Sequence, residues 1–158
     1  MVQDPPAPLR ALLRVPVPWM YVITYLAGVG LELIFRRGHP NSTVITRIGI
    51  AVFAVGSVIA GWGWSLFRRA HTTTTPGEAS TTFVTSGPYR FSRNPMYVGL
   101  AIAYLGEAAI LNQIWPVALW PLVIAYVNWV VIPVEERRLE DVFGAEYRRY
   151  RAAVRRWL

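Results

Sequence analysis

Residues 96–134 read MYVGLAIAYLGEAAILNQIWPVALWPLVIAYVNWVVIPV. They form two apolar runs, 96–111 and 114–134, separated only by Asn112 and Gln113. A helix needs about 20 apolar residues to cross a bilayer, within a range of about 17 to 25. Backbone polar groups must be paired in lipid, so both runs are expected to be helical. Because so few residues separate the runs, the stretch predicts a tight helical hairpin within a membrane.

Two further apolar runs, residues 17–35 and 48–67, precede this hairpin. Of the 158 residues, 54% are hydrophobic and 13% are aromatic, which favours one domain that resides in a membrane. The sequence therefore predicts an all-α integral membrane protein with about four transmembrane helices. Two glycine pairs inside the first two runs predict close helix packing rather than a nucleotide-binding loop. These glycines are Gly28 with Gly30, and Gly61 with Gly63.

The segment before the first run, residues 1–18, contains five prolines and is expected to be an irregular lead-in. Arg10 and Arg14 ahead of an apolar run also suit a secretory signal. The run continues as far as Glu32, which is longer than the core of a cleavable signal. An uncleaved first span is therefore the favoured interpretation.

The positive charge of the chain is distributed unevenly along it. All 16 basic residues are arginines, against nine acidic residues, which gives a net charge of +7. If all four runs span, most arginines lie in the N-terminal segment, the loop 68–95 and the C-terminal tail, all on one side. The positive-inside rule then places both termini and this loop in the cytoplasm. Arginines beside apolar runs indicate membrane lipids rather than nucleic acid as the partner.

Two residue types that often bind metals are scarce. The chain has no cysteine, which excludes thiolate metal sites, disulfides and a cysteine nucleophile. Its two histidines, His39 and His71, lie in predicted loops without a second ligand at metal-binding spacing. The sequence therefore predicts no metal site.

The last segment, residues 135–158, has the pattern of an amphipathic helix. Apolar side chains recur at intervals of three and four residues, and arginines occupy most other positions. The apolar positions are Leu139, Val142, Phe143, Tyr147, Tyr150, Val154 and Trp157. Such a helix can lie at the membrane surface with its arginines near lipid headgroups, or it can close a cofactor pocket on the cytoplasmic side. The two interpretations are compatible.

Two short motifs lie beside the apolar runs. The first begins with Gly87 and Pro88, which favour a tight turn, and ends with Pro95, which suits the first turn of a helix. A helix N-terminus of this kind presents free N–H groups to an anion. The second motif consists of Glu135 and Glu136 directly after the last run, followed by Phe143-Gly-Ala-Glu-Tyr147.

Together, these motifs resemble the isoprenylcysteine carboxyl methyltransferase and phospholipid methyltransferase superfamily of integral membrane enzymes, which use S-adenosylmethionine. The resemblance covers about residues 80–158 and is carried by Gly87-Pro-Tyr89, Arg93-Asn-Pro-Met-Tyr97, Gly99 and the glutamate pair. It implies a cofactor pocket formed by Pro88, Tyr89, Arg93, Asn94, Tyr97, Glu135, Glu136 and Tyr147. One departure is Asn94, where the family commonly has histidine. Asparagine keeps hydrogen-bonding capacity but does not titrate near neutral pH.

The chemistry of these side chains suits the methyl donor. Arg93 is expected to pair with its carboxylate, and Glu135 or Glu136 to accept from its ammonium or hydroxyl groups. The tyrosine rings at the site are expected to flank the adenine or the sulfonium. No residue is assigned to catalysis, and Glu107, an acid at membrane depth, and Arg90 are the two candidates.

The sequence thus predicts an S-adenosylmethionine-dependent methyltransferase that acts on a lipophilic or small acceptor. The motif offers no cysteine, lysine or histidine as a base, which favours a carboxylate or another anionic acceptor. Two alternatives remain open, a phospholipid N-methyltransferase and a non-catalytic membrane scaffold or sensor that retains the cofactor pocket. The oligomeric state is not indicated.

Overall fold

The computed structural model describes residues 15–35, 42–69 and 83–158, and every regular element in these ranges is helical. The long helices are α1 (Val17–Phe35), α2 (Thr43–Arg69), α3 (Pro95–Ile110), α4 (Ile114–Tyr126) and α5 (Ile132–Ala153). A short 3₁₀ helix covers Gly87–Arg90, and a π-helical turn, Val127–Val131, joins α4 to α5. The all-α prediction is therefore confirmed.

Three helical segments of this part of the chain are long and apolar enough to cross a membrane. They are α1, α2 and the continuous segment Ile114–Ala153, while α3 is apolar but has only 16 residues. The chain is therefore an integral membrane protein. Helix α1 begins inside the predicted lead-in, of which residues 1–14 are outside the described ranges, as are His39 and His71. Helix α2 extends two residues into the predicted loop, so Arg68 and Arg69 form its last turn.

Helices α2 and α3 pack so closely that glycine is required at their contact. A Cβ atom on Gly49 would lie 2.6 Å from the backbone nitrogen of Ile110, and one on Gly56 would lie 2.7 Å from the backbone oxygen of Gly99. Small residues let backbones approach in this way in membrane proteins. The short helix α3 is therefore held along α2 by backbone-to-backbone contact.

The predicted glycine pairs divide into contacting and non-contacting members. Gly28 approaches Pro116 of α4, with its Cβ position 2.6 Å from the Pro116 Cα, and Gly63 approaches the side chain of Met96. Gly30 and Gly61 have nothing within 4 Å of their Cβ positions. The packing prediction is therefore correct for Gly28 and Gly63. It is wrong for Gly30 and Gly61, because these two glycines lie on helix faces turned away from the neighbouring helices.

The turn between α3 and α4 lies at the end of the bundle opposite the motifs. Asn112 adopts a φ of 51°, which reverses the chain. Its Oδ1 accepts a hydrogen bond from the Ser42 N–H at 3.2 Å. One carboxylate oxygen of Glu32 accepts from the N–H groups of Ile114 and Trp115 at 3.1 and 3.2 Å. A carboxylate on α1 therefore caps the N-terminus of α4.

Helix α5 differs from the predicted amphipathic helix in two ways. Gly144 adopts a φ of 49° and a ψ of −118°, which kinks the helix within its second motif. The helix ends at Ala153 rather than at residue 158. The last five residues leave the helical path, and the carbonyl groups of Val154, Arg155 and Arg156 accept hydrogen bonds from the first motif. We call residues 154–158 the C-terminal strap.

Candidate functional site

The first motif forms a fixed bend beside the C-terminal end of α2. Gly87 adopts a φ of 60°, and a Cβ atom there would lie 2.8 Å from the Leu66 side chain. Pro88 and Tyr89 are buried, and the Tyr89 ring packs 5.5 Å from that of Phe67. Burial raises the pKa of Tyr89 above its ordinary value, and the nearby Tyr150 and Glu135 raise it further. Tyr89 is therefore neutral at physiological pH.

A buried ion network joins the two motifs. Arg93 donates from Nε and Nη2 to Oε1 of Glu136 at 3.1 and 2.7 Å. Arg156, in the C-terminal strap, donates from Nη2 to the other oxygen, Oε2, at 2.7 Å. Glu136 is buried, and both of its oxygens are bonded to arginine. The carboxylate is therefore shared between the start of α3 and the end of the chain.

Backbone carbonyl groups near the end of the chain complete this network. Arg93 donates from Nη1 to the carbonyl oxygens of Arg151 and Val154 at 3.0 and 2.7 Å, and its N–H donates to the Arg155 carbonyl at 2.9 Å. The Asn94 amide, Nδ2, donates to the Arg156 carbonyl at 2.9 Å. Asn94 therefore holds the strap in place.

The strap is also anchored to the π-helical turn. The indole N–H of Trp157 donates to Oδ1 of Asn128 at 2.9 Å. At this turn the Ile132 N–H donates to the carbonyl of Val127, five residues earlier, and Pro133 follows without an N–H of its own. π-Helical turns within α-helices are frequent at functional sites. Here the turn places Asn128 where the strap can bind it.

Glu135 makes a different set of contacts from its neighbour Glu136. The hydroxyl of Tyr97 donates to its Oε1 at 2.7 Å, and the Tyr97 carbonyl accepts from the Tyr21 hydroxyl at 3.3 Å. Within the described ranges, the second oxygen of Glu135 has no hydrogen-bond donor. This carboxylate therefore keeps free acceptor capacity beside buried tyrosines.

An aromatic cluster lies between the first motif and α5. Phe83 stacks on Phe143 with a centroid distance of 5.2 Å, and it meets Tyr147 and Tyr150 edge-on at 5.8 and 5.1 Å. Tyr147 is only 1% exposed, yet its hydroxyl has no hydrogen-bond partner among the residues that the structure describes. An unpaired buried hydroxyl costs about 1 to 3 kcal/mol. A bound polar group would remove this cost.

The structure brings the eight predicted cofactor residues to one end of the bundle, whereas Glu107 lies apart from them and Arg90 follows Tyr89 but is exposed. Glu107 is about three turns, or about 18 Å, from the start of α3, near Tyr25 and Tyr104. Sequence reasoning missed Asn128 and Arg156. Arg156 falls among the arginines on the polar side of the predicted helix, so no spacing distinguished it.

Comparison with known proteins shows the family to which the sequence is similar. A family model described as phospholipid methyltransferase matches residues 44–146. The cobalt-zinc-cadmium resistance protein CzcN of Cupriavidus metallidurans is 29% identical over 135 residues, covering 83% of this chain and 58% of that protein. Methanethiol S-methyltransferase 1 of Bradyrhizobium diazoefficiens is 31% identical over 145 residues, covering 81% of this chain and 50% of that protein.

The chain thus spans between 50% and 58% of the length of these two relatives. No solved structure is significantly similar to it. The family match includes the first motif and the glutamate pair, and it extends over more than half of the chain. The chain therefore belongs to the phospholipid methyltransferase family.

Proposed function

We propose that this protein binds S-adenosylmethionine at the motif end of the bundle and transfers its methyl group to a lipophilic or small acceptor. The observation that carries this proposal is the unpaired Tyr147 hydroxyl, buried within an aromatic cluster beside the ion network. The second oxygen of Glu135 and the free N–H groups of Arg156 add one acceptor and several donors. The methyl donor has hydroxyl, ammonium and carboxylate groups that match these side chains.

When bound, S-adenosylmethionine supplies a methyl group activated by its sulfonium. The protein contributes alignment and exclusion of water, because displacement at the methyl carbon needs both reactants held in line. Aromatic rings stabilise a nearby cation, and the rings of Phe83 and Tyr147 meet at the site with a centroid distance of 5.8 Å. An anionic acceptor needs no base. An acceptor that must lose a proton would need one, and Glu135 is the carboxylate at the site with an unpaired oxygen.

Two observations bear on the acceptor. The family description favours a phospholipid acceptor, whereas the similarity to a methanethiol S-methyltransferase favours a small acceptor. The mutual pairing of Arg93 and Glu136 also suits a third candidate, a scaffold or sensor without turnover. All three candidate functions include binding of S-adenosylmethionine, so turnover is the property that distinguishes the two enzymes from the scaffold.

We expect purified protein in lipid nanodiscs to transfer isotopically labelled methyl groups from S-adenosylmethionine to an acceptor. The assay supplies extracted membrane lipids in one arm and small thiols and carboxylic acids in another, with mass spectrometry of the products. Labelled lipid would indicate the phospholipid N-methyltransferase, and a labelled small product would indicate the small acceptor. Donor binding without label in either arm would favour the scaffold.

We also propose that both termini and the first motif face the cytoplasm, since Arg68, Arg69 and the arginines of α5 lie at the motif end. Asn41 and Thr74, in the two loops that the four-span prediction places on opposite sides of the membrane, lie outside the described residues. The exposed residues Leu158 and Leu111 lie at opposite ends of the bundle. Leu158→Cys and Leu111→Cys, introduced singly into this cysteine-free chain, are expected to react with an impermeant maleimide from opposite sides. Labelling of both from one side would contradict the topology.

A further inference from the structure

We infer that Arg156 is a further binding residue for the methyl donor and that it binds the carboxylate of that molecule. Arg93 then has a structural role, which is to hold the C-terminal strap. This inference rests on the proposed function. It reverses the roles that the sequence motif suggests, because Arg93 belongs to the recognised motif and Arg156 does not.

The hydrogen bonds of Arg93 are almost fully used inside the protein. A guanidinium has five N–H groups, and Arg93 makes four hydrogen bonds, two to Glu136 and two to carbonyl oxygens of α5 and the strap. Its side chain is only 11% exposed. A ligand carboxylate could form a forked pair of hydrogen bonds with Arg93 only by breaking bonds that hold the C-terminal strap. Arg93 therefore fixes the strap rather than binding a ligand.

Arg156 has the opposite balance. It makes one strong hydrogen bond, from Nη2 to Glu136 at 2.7 Å, and one from Nη1 to the Asn128 carbonyl at 3.5 Å, which is at the limit for such a bond. In the described part of the chain its Nε–H has no acceptor. The side chain is 33% exposed. Arg156 therefore offers unpaired donors on an open edge.

The charges of the network leave room for one anion. Two guanidinium groups share the single carboxylate of Glu136, so the three side chains carry one excess positive charge. A carboxylate bound to Arg156 would balance this charge and accept a forked pair of hydrogen bonds. The hydrogen bond from Trp157 to Asn128 anchors the strap next to Arg156, and Glu136 binds the guanidinium itself, so the group is held in position before the ligand arrives.

A pair of ligands separates carboxylate recognition from a general structural role. S-adenosylhomocysteine carries the amino-acid group, whereas 5′-methylthioadenosine keeps the adenosine and thioether but lacks that group. We expect Arg156→Gln to weaken binding of S-adenosylhomocysteine by about tenfold to a hundredfold, and to change binding of 5′-methylthioadenosine by less than about twofold. Calorimetry on the full chain in detergent measures both affinities.

Two further variants complete the design. Arg149, an exposed residue of α5, provides a matched control, and Arg149→Gln is expected to leave both affinities unchanged. Arg156→Lys keeps the charge but loses the fork, so its affinity for S-adenosylhomocysteine should lie between those of wild type and Arg156→Gln. Retained binding of 5′-methylthioadenosine also shows that each variant is folded.

The outcomes are distinguishable. Equal weakening of both ligands by Arg156→Gln would show a structural role and overturn the inference, while the proposed function would stand. Unchanged affinity for S-adenosylhomocysteine would also overturn it, and would indicate that the excess positive charge serves another anion, such as a lipid phosphate. Failure of the unaltered protein to bind either ligand would overturn the proposed function and this inference together.

Discussion

Glu136→Gln is expected to destabilise the folded protein by about 3 to 5 kcal/mol, because it removes the buried counter-charge of the largely buried Arg93 and of the partly exposed Arg156. The place of Glu136 in the predicted cofactor pocket alone would suggest a milder result, in which Glu136→Gln weakens binding of the methyl donor without unfolding the protein. The structure changes this expectation, since Glu136 ties Arg93 to Arg156 and thereby the first motif to the strap. Denaturant unfolding in detergent, followed by tryptophan fluorescence, measures the difference.

Glu140→Gln on the same helix is the matched control. Glu140 pairs with Arg148 and Arg151 at 3.6 and 3.3 Å, but it is 32% exposed and both arginines are largely solvated. Exposed ion pairs contribute about 0 to 1 kcal/mol, and we expect a loss within that range. Equal stability losses for Glu136→Gln and Glu140→Gln would show that the buried network does not hold the two motifs together.

Gly56→Val is expected to separate α2 from α3, with a loss of about 3 kcal/mol or more. The new Cβ would lie 2.7 Å from the Gly99 carbonyl oxygen and 2.9 Å from the Ala103 Cα, and these backbone atoms cannot move without shifting the whole helix. Overpacking a well-packed contact costs about 1 to 3 kcal/mol, and more where nothing can yield. Thermal unfolding and the yield of monodisperse protein measure the effect.

Gly61→Val makes the same chemical change on the same helix where nothing lies within 4 Å of the Cβ position. We expect it to change stability by no more than about 0.5 kcal/mol. If the two valine variants unfolded at the same temperature, the close contact of α2 and α3 would not contribute to stability as the structure indicates. The pair thus tests the helix contact independently of the binding site.

The sequence by itself determined the features that depend on local composition. The apolar runs predict the helices because lipid leaves the backbone no other way to pair its polar groups. The turn at Asn112 follows from two polar residues between apolar runs, and the bend at Gly87 and Pro88 follows from their backbone preferences. The two motifs were recognisable for the same reason, since each is a short run of adjacent residues.

Tertiary structure alone decided which of the recognised groups are free and which are used. Four glycines look equivalent along the chain, yet Gly28 and Gly63 face another helix and Gly30 and Gly61 do not, since the orientation of a face depends on how whole helices pack. Arg93 and Arg156 are likewise indistinguishable by residue type. Arg93 spends most of its N–H donors on partners that are far away along the chain, with Glu136 43 positions and Val154 61 positions from it. No local pattern encodes contacts over such separations.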